Sequence, residues 1–248
     1  MIDNHVHVGW YTDGYHSPKE IWQAELDAGI DEIAVSSTST CAELYKLVVR
    51  EIRELNRLGG SRIHPILWLT PRMMKTWGLS YMLHSKIRWQ GVKMHWNAHR
   101  EWYYNRKLLH NALEVARWQQ VPVLFHTGEF KECKASVFMD ICKRYDDLTF
   151  VLAHGRPLNE TMIVLKQCPN VYVDTAFMQV SDVKKLIELG FSKRILFGTD
   201  APINLCYYKD MSIEDYIKKY LSQLQKELSD SEYNQIITNK IYGSNNPY

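Results

Sequence analysis

Two histidines near the start of the chain have a spacing that suits metal chemistry. His5 and His7 are separated by one residue within the apolar run Ile2–Val8. If this run is a β-strand, residues i and i+2 point to the same face, so the two imidazole rings converge. Converging imidazole nitrogens are ligands for divalent metal ions such as zinc. Alone, the pair is a weak signal, and its interpretation depends on the rest of the chain.

Three further polar residues lie at the ends of short apolar runs. His126, His154 and Asp200 each close such a run. A single histidine at the end of a strand is more often a hydrogen-bonded structural residue than a ligand. Three runs that end in the same way, together with the first pair, favour one shared metal site over five separate structural roles.

Eight short apolar runs alternate with longer amphipathic segments along the chain. Runs rich in Val, Ile and Leu are typical of parallel strands that are covered on both faces. The predicted strands are Ile2–Val8, Glu32–Ser36, Ile63–Leu69, Gly91–His95, Val121–His126, Thr149–His154, Val171–Thr175 and Ile195–Asp200.

The segments between these runs carry signals for helix starts. Ser17–Glu20, Thr40–Glu43 and Ser229–Glu232 each place a serine or threonine three residues before a glutamate, which is the pattern of a capping box. Pro18 also suits the first helical turn. The segment Ser231–Tyr242 is expected to be an additional helix on the outside of the fold.

The alternation of strands and helices restricts the fold to two arrangements, an open doubly wound sheet or a closed barrel. Eight units in 248 residues correspond to about 31 residues per unit. A barrel of about 250 residues is normally a single domain. The count of eight favours a (β/α)8 TIM barrel, and because no stretch reads as a linker, we expect one domain over residues 1–248.

Composition and charge argue against nucleic acid and membrane partners. The chain has 30 basic and 28 acidic side chains, a net charge of +2, and no block of like charges. No run approaches the roughly 20 apolar residues of a membrane helix, and the first ten residues do not read as a signal peptide. Five cysteines, an odd number without a CxxC pair, favour a reduced, cytoplasmic protein.

The pattern of polar strand ends resembles that of a known superfamily. His-x-His on the first strand, histidines that end the fifth and sixth, and an aspartate that ends the eighth are similar to the amidohydrolase superfamily of metal-dependent hydrolases. The phrases Leu-Ala-His-Gly at residues 152–155 and Phe-Gly-Thr-Asp at residues 197–200 resemble its amidohydrolase-related branch, which also contains decarboxylases. The resemblance spans the whole chain but does not specify a substrate.

The resemblance implies a set of metal ligands. His5, His7, His126 and Asp200 would bind one divalent metal ion, most often zinc. His154 would lie beside this ion or bind a second one.

The number of metal ions stays open at this point. Two-metal members of the superfamily bridge their ions with a carboxylated lysine, usually from the fourth strand, and this chain has Lys93 there. The phrase Gly-Val-Lys-Met-His at residues 91–95 also resembles one-metal relatives. One ion is favoured, and two ions with a carboxylated Lys93 are the alternative.

The resemblance also implies a reaction, hydrolysis of an amide, lactone or ester bond in a small molecule. Zinc lowers the pKa of its bound water to about 7. Asp200 would accept the proton of that water, and His154 would polarise the substrate carbonyl. The rivals are a metal-dependent decarboxylase, a TatD-like nuclease, and a barrel that serves as a sensor or scaffold. The nuclease pattern normally has a glutamate on the fourth strand, where this chain has Lys93 and His95.

Aromatic residues follow several strand ends and predict a pocket for a flat or sugar ring. Packing on the barrel rim or at a homo-oligomer interface is the alternative for these rings. Arg156 and Arg100 are each suited to pairing with a substrate carboxylate, and Glu129 is a candidate additional ligand. The predicted substrate-binding residues are His95, Arg156, Trp96, Trp10 and Asp174. The other rings of these loops are Tyr11, Tyr15, Trp102, Tyr103, Tyr104, Tyr207 and Tyr208.

Overall fold

The centre of the molecule is a curled sheet of nine strands. The structure, a computed structural model, describes residues 1–208 and 210–242. The strands are β1 (Ile2–Tyr11), β2 (Gly14–His16), β3 (Glu32–Ser37), β4 (Ile63–Trp68), β5 (Gly91–Met94), β6 (Val123–His126), β7 (Phe150–Ala153), β8 (Val171–Asp174) and β9 (Ile195–Leu196). Their order in the sheet is β2-β1-β3-β4-β5-β6-β7-β8-β9.

Strand pairing agrees with the predicted parallel sheet and adds one strand to it. From β1 through β3 to β9, each neighbouring pair is parallel. The sequence did not indicate β2, which pairs with β1 in an antiparallel hairpin that sets Trp10 opposite Tyr15. The predicted strand Ile195–Asp200 is shorter than expected, because β9 ends at Leu196.

The two ends of the curled sheet approach each other through backbone hydrogen bonds. The His7 amide donates to the carbonyl of Ala201 over 2.7 Å, and the Asp200 amide donates to the carbonyl of His5 over 2.8 Å. The first strand therefore meets the segment that follows the last strand, which brings residues from opposite ends of the chain together.

Helices connect the strands and pack against the sheet. Their bounds are α1 (Pro18–Asp27), α2 (Tyr45–Gly59), α3 (Pro71–Lys75), α4 (Trp77–Leu83), α5 (Glu101–Tyr104), α6 (Arg106–Gln119), α7 (Met139–Arg144), α8 (Leu158–Gln167), α9 (Val180–Glu188), α10 (Ile213–Glu227) and α11 (Asp230–Thr238). In α2, the buried side chains Val48, Ile52 and Leu55 follow helical spacing, so one apolar stripe faces the core.

The helix starts test the predicted capping residues. Ser17 accepts a hydrogen bond from the Glu20 amide at the start of α1, and Ser229 forms a complete capping box at the start of α11. The predicted box at Thr40–Glu43 is wrong. Residues Thr38–Ala42 form a 3-10 turn instead, and α2 begins only at Tyr45 without a side-chain cap.

Two sequence expectations concern the thiols and the membrane. All five cysteines are free thiols. Within residues 1–208 and 210–242, none of the helices has both the length and the apolar character that a transmembrane span requires.

The segment after α11 packs against the sheet rather than continuing the predicted helix. Tyr242 is only 2% exposed. Its ring contacts the buried side chains Ala34 and Ile66 of β3 and β4 and stacks on His64 with 6.3 Å between ring centroids. The final described residues therefore contribute to the core.

We predict that Tyr242→Ala lowers the free energy of unfolding by about 3 kcal/mol, because it removes a buried aromatic side chain and leaves a cavity. Urea unfolding followed by circular dichroism measures the change. Trp118→Ala is the control, since Trp118 is 71% exposed, and its effect should stay within about 0.5 kcal/mol. Equal effects of the two substitutions would contradict the packing role of Tyr242.

Candidate active site

Five of the predicted polar side chains meet where the strands end. The ligand atoms of His5, His7 and Asp200 all lie within 4.8 Å of one another. A second group with the same property contains His5, His154 and Asp174. All five residues are buried. The shared His5 joins the two groups into one continuous cluster.

The hydrogen-bond partners of the first two histidines determine where their protons lie. Nδ1 of His5 is 2.9 Å from Oδ2 of Asp174, and Nδ1 of His7 is 3.3 Å from the carbonyl oxygen of Ser36. The Asp174 carboxylate only accepts hydrogen bonds, so Nδ1 of His5 carries the proton. Nδ1 of His7 is also 2.9 Å from the Ser36 hydroxyl, which can donate or accept, so its proton is assigned from the Lys93 amine, which donates to Nε2 of His7. Both Nε2 atoms therefore present lone pairs, and a histidine held in this way is a well-oriented metal ligand.

The carboxylate of Asp200 points at these lone pairs. Oδ1 of Asp200 lies 3.1 Å from Nε2 of His5 and 2.9 Å from Nε2 of His7. In the described part of the chain, this buried oxygen has no hydrogen-bond partner. Ligands bound to one zinc ion at about 2.0–2.2 Å have similar mutual distances of about 3–3.5 Å. The donor set therefore fits a divalent metal ion.

Lys93 places a positive charge among the same atoms. Its Nζ lies 2.7 Å from Nε2 of His5 and 2.8 Å from Nε2 of His7, so the amine donates to both lone pairs. Nζ also lies 4.6 Å from the centroid of the Trp68 ring. Burial lowers the pKa of Lys93 to about 8, although Asp200 and Asp174 oppose this shift.

Burial lowers the pKa of two imidazoles of the cluster, His7 and His154, so both are neutral at physiological pH. It lowers the pKa of His7 to about 3, with a further contribution from Lys93, and the pKa of His154 to about 4. Burial alone would raise the pKa of Asp200, but His5, His7 and His154 hold it well below its usual range. Neutral imidazoles and an ionised carboxylate are the protonation states that bind metal ions.

Left-handed backbone conformations turn two of these side chains into the site. His154 has φ of 70° and Asp200 has φ of 59°. Such conformations are uncommon for residues other than glycine and persist only where surrounding contacts fix them. Oδ1 of Asp174 accepts a hydrogen bond from the His154 amide over 2.9 Å, and the Asp200 amide donates to His5.

His126 lies next to the cluster rather than within it. Its Nδ1 is 3.2 Å from Nε2 of His154, and its ring stacks on His95 with 3.6 Å between centroids. His126 belongs to neither group of mutually close ligand atoms found among the described residues. The Ala98 amide donates to Nδ1 of His95 over 3.0 Å, which leaves the proton of His95 on Nε2.

A cavity of about 970 Å³ opens above the cluster. Its wall combines aromatic rings with Lys93, Asp200 and Arg156. Nη2 of Arg156 donates to the carbonyl of Phe177 over 3.2 Å, and the guanidinium lies 5.6 Å from the Phe177 ring centroid. The predicted residues that line this cavity are Trp10, Tyr11, Lys93, His95, His126, Glu129, His154, Arg156, Asp200, Tyr207 and Tyr208.

Two predicted substrate-binding residues do not line the cavity. Trp96 is 1% exposed and packs edge-on against Phe125 and Phe138, so it belongs to the core. Asp174 is completely buried, and its oxygens accept hydrogen bonds from His5 and from the His154 amide. These bonds agree with the other role expected for Asp174 from the sequence, support of the site by hydrogen bonding.

The other charged candidates are at the rim. Arg100 lines a separate depression beside Thr70 and Arg72, so it does not face the cluster. Glu129 is exposed and lies on the cavity wall.

The sequence did not single out three residues that shape this site. Ser36 contacts Nδ1 of His7, Phe177 contacts Arg156, and Trp68 stacks almost parallel to His95 at 5.6 Å. Trp68 ends β4 and pairs directly with Lys93 of β5. A search for any bulky side chain at a strand end, rather than for polar ones alone, would have included Trp68.

Solved structures with a similar fold include proteins named as a hydrolase, a hydratase and a decarboxylase. A probable 2-pyrone-4,6-dicarboxylic acid hydrolase from Acinetobacter baumannii, with citric acid bound, has a TM-score of 0.67 at 12% identity, covering 95% of both chains. 4-Oxalomesaconate hydratase from Rhodopseudomonas palustris has a TM-score of 0.64 at 13% identity, covering 96% of this chain and 93% of that chain. A third structure is a 5-carboxyvanillate decarboxylase from Novosphingobium aromaticivorans, complexed with manganese and 4-hydroxy-3-methoxy-5-nitrobenzoic acid. It has a TM-score of 0.62 at 11% identity, covering 88% of this chain and 77% of that chain.

These likenesses establish a fold similar to that of the TIM-barrel amidohydrolases. A sequence comparison with curated proteins gave no match. A family model, by contrast, matches residues 85–235, and its description is amidohydrolase. This match covers more than half of the chain and includes His126, His154 and Asp200. The chain therefore belongs to the amidohydrolase family.

Proposed function

We propose that this protein is a metal-dependent hydrolase that cleaves an amide, lactone or ester bond of a small molecule. The observation that carries the proposal is the convergence of the Nε2 atoms of His5 and His7 on Oδ1 of Asp200, a buried oxygen without a hydrogen-bond partner among the described residues. We also propose that the curled sheet is a complete (β/α)8 barrel, which the backbone bonds from β1 to residues 200 and 201 support.

His5, His7 and Asp200 are the proposed ligands of one divalent ion, with zinc as the proposed metal and His126 as a candidate fourth ligand. When bound, the ion supplies Lewis acidity and an acidified water molecule. We favour one ion over two because the Lys93 amine itself contacts both ligand nitrogens. A carboxylated Lys93 with a second ion held near His154 is the alternative.

The protonation states assign roles to the surrounding side chains. Asp200 is ionised and accepts a proton at its carboxylate. Nδ1 of His154 lies 3.2 Å from the carbonyl of Ala176, so the neutral ring has no proton at Nε2 to donate. Nε2 of His95 carries one. The proposed role of polarising the substrate carbonyl therefore fits His95 better than His154.

The cavity wall supports a small planar acid as substrate. Trp10, Trp68 and Phe177 contribute flat apolar surfaces, which favour stacking against a ring. Arg156 provides a guanidinium on the same wall, suited to a carboxylate. We propose that the partner of this site is a small molecule and that the protein binds neither nucleic acid nor a membrane.

The aromatic wall also favours a second candidate, decarboxylation of an aromatic or unsaturated acid. Product analysis distinguishes the two reactions, because a decarboxylase releases carbon dioxide while a hydrolase incorporates oxygen from water into its product. Substrate panels of carboxylated lactones, amides and aromatic acids, assayed in ¹⁸O-labelled water, report both outcomes together.

We predict that the purified protein contains about one divalent ion per chain and that chelation abolishes turnover, because the open coordination position of the metal supplies the reactive water. Elemental analysis counts the ion, and adding zinc or manganese back to the chelated protein should restore activity. Turnover that persists after complete metal removal would reject the proposed function.

We predict that Asp200→Asn lowers kcat by about 10²–10⁴-fold, because the amide cannot accept the proton that the carboxylate takes. Near-ultraviolet circular dichroism should show an unchanged fold, since the two side chains have the same shape. Asp146→Asn, at an exposed position, is the control and should retain wild-type kcat. A near-normal kcat for Asp200→Asn would exclude the proton-transfer role.

We predict that Arg156→Ala raises KM for a carboxylated substrate by about 10–100-fold, because it removes a charged hydrogen-bond donor. Steady-state kinetics on the substrate that the panel identifies provide the measurement. Arg100→Ala should leave KM unchanged, since Arg100 lies outside the cavity. If both variants change KM equally, the assignment of the carboxylate subsite is wrong.

A further inference from the structure

A buried carboxylate lies two residues before the first histidine. Asp3 is completely buried, and its oxygens accept three hydrogen bonds. Oδ1 accepts from the His5 amide over 2.9 Å and from the Thr199 amide over 3.2 Å. Oδ2 accepts from the Thr199 hydroxyl over 2.5 Å. The side chain thus joins the start of β1 to the segment just before Asp200.

Thr199 extends this connection to the other side of Asp200. Its Oγ1 accepts a hydrogen bond from the Ala201 amide over 3.1 Å. The residues before and after Asp200 are therefore both tied to Asp3, directly or through one hydroxyl. Asp200 itself adopts a left-handed conformation, which only strong surrounding contacts maintain.

These contacts add side-chain bonds to the backbone bonds that join β1 to the segment around Asp200. His5 and Asp200 come from opposite ends of the sequence, and the direct bond between them runs from the Asp200 amide to the His5 carbonyl over 2.8 Å. The backbone bonds from the Asn4 amide to Phe197 and from the His7 amide to Ala201 flank it. The Asp3 carboxylate adds a bond to the His5 amide and two bonds to Thr199, so it restrains the two segments at the residues closest to the ligand atoms.

The three donors also compensate for taking a carboxylate out of water. Burial raises the pKa of Asp3 to about 7, while the bonds from Thr199 and His5 lower it. Charge-assisted hydrogen bonds of this kind are short and strong. Burying a carboxylate costs free energy unless such bonds are made, so loss of one of them is expected to disturb this arrangement.

We propose that Asp3 and Thr199 form a clamp that fixes Nε2 of His5 and Oδ1 of Asp200 at metal-binding distance from each other. Both are positioning residues, since neither contacts the ion or the substrate. The inference rests on the proposed metal site and adds to it the contacts that set its geometry. Outer contacts that orient ligands typically change metal affinity by about 10–100-fold when removed.

The test measures zinc affinity of the chelated protein by competition with a chromophoric chelator. Thr199→Val keeps the shape of the side chain but removes its hydroxyl, and Thr199→Ser is the matched control that keeps the hydroxyl. We expect zinc binding by the valine variant to be about 10–100-fold weaker and binding by the serine variant to match that of the wild type. Urea unfolding of the metal-free variants reports their stability separately.

Asp3→Asn is the second variant, because it retains the shape of the carboxylate and loses its charge. If Thr199→Val does not fold, Asp3→Asn replaces it in the test, and its zinc affinity is also expected to be about 10–100-fold lower than that of the wild type. A wild-type protein that binds no zinc contradicts the proposed function, whatever the variants do. Zinc binding by the wild type that Thr199→Val or Asp3→Asn leaves unchanged overturns the clamp and leaves the proposed function intact. Weaker zinc binding in a stably folded variant, with recovery in Thr199→Ser, supports it.

Discussion

Buried lone pairs that face one another repel unless a cation lies among them, and this constraint governs the candidate site. Nε2 of His5, Nε2 of His7 and Oδ1 of Asp200 approach to about 3 Å. The pKa of Asp200 is held well below its usual range, so the carboxylate is ionised. Such a cluster is stable only with positive charge at its centre, which the Lys93 amine provides here and which a divalent ion would provide more strongly.

The fold supports this cluster through its backbone. Parallel strands bring their C-terminal ends to one edge, and left-handed residues at His154 and Asp200 then redirect the chain at that edge. Asp174 orients both His5 and the His154 backbone. The contacts from Asp3 across to Thr199 complete the support from the other side. His5 and His7 are therefore placed by β1 and His154 and Asp200 by the turns that follow β7 and β9, while the aromatic wall combines Trp10 of β1 and Trp68 of β4 with Phe177 of a loop.

Local sequence patterns predicted the parts of the structure that depend on local physics. The spacing of His5 and His7 indicated a shared face, and each apolar run contains one of the strands β1 and β3 to β9 or most of it, although β9 is much shorter than its run. The family resemblance is confirmed by the match over residues 85–235. The Ser229 capping box also formed as expected, because its two hydrogen bonds are made within four residues.

Features that depend on tertiary contacts were not predictable in the same way. Trp96 has the sequence position of a pocket residue, yet it packs on Phe125 and Phe138 because those rings leave space for it in the core. The capping pattern at Thr40 does not start a helix, since residues 38–42 are drawn into a 3-10 turn against β1, where Thr38 donates to the Val8 carbonyl. The protonated nitrogen of each histidine depends on partners distant in sequence, such as Asp174 for His5.

An anomalous diffraction map of crystals grown with zinc tests the central claim most directly. The account predicts one peak, bound at about 2.0–2.2 Å by Nε2 of His5, Nε2 of His7 and an oxygen of Asp200, with Lys93 displaced from the two imidazoles. A map in which the zinc ion lies elsewhere, or in which Lys93 still bridges His5 and His7 at full metal occupancy, would contradict it.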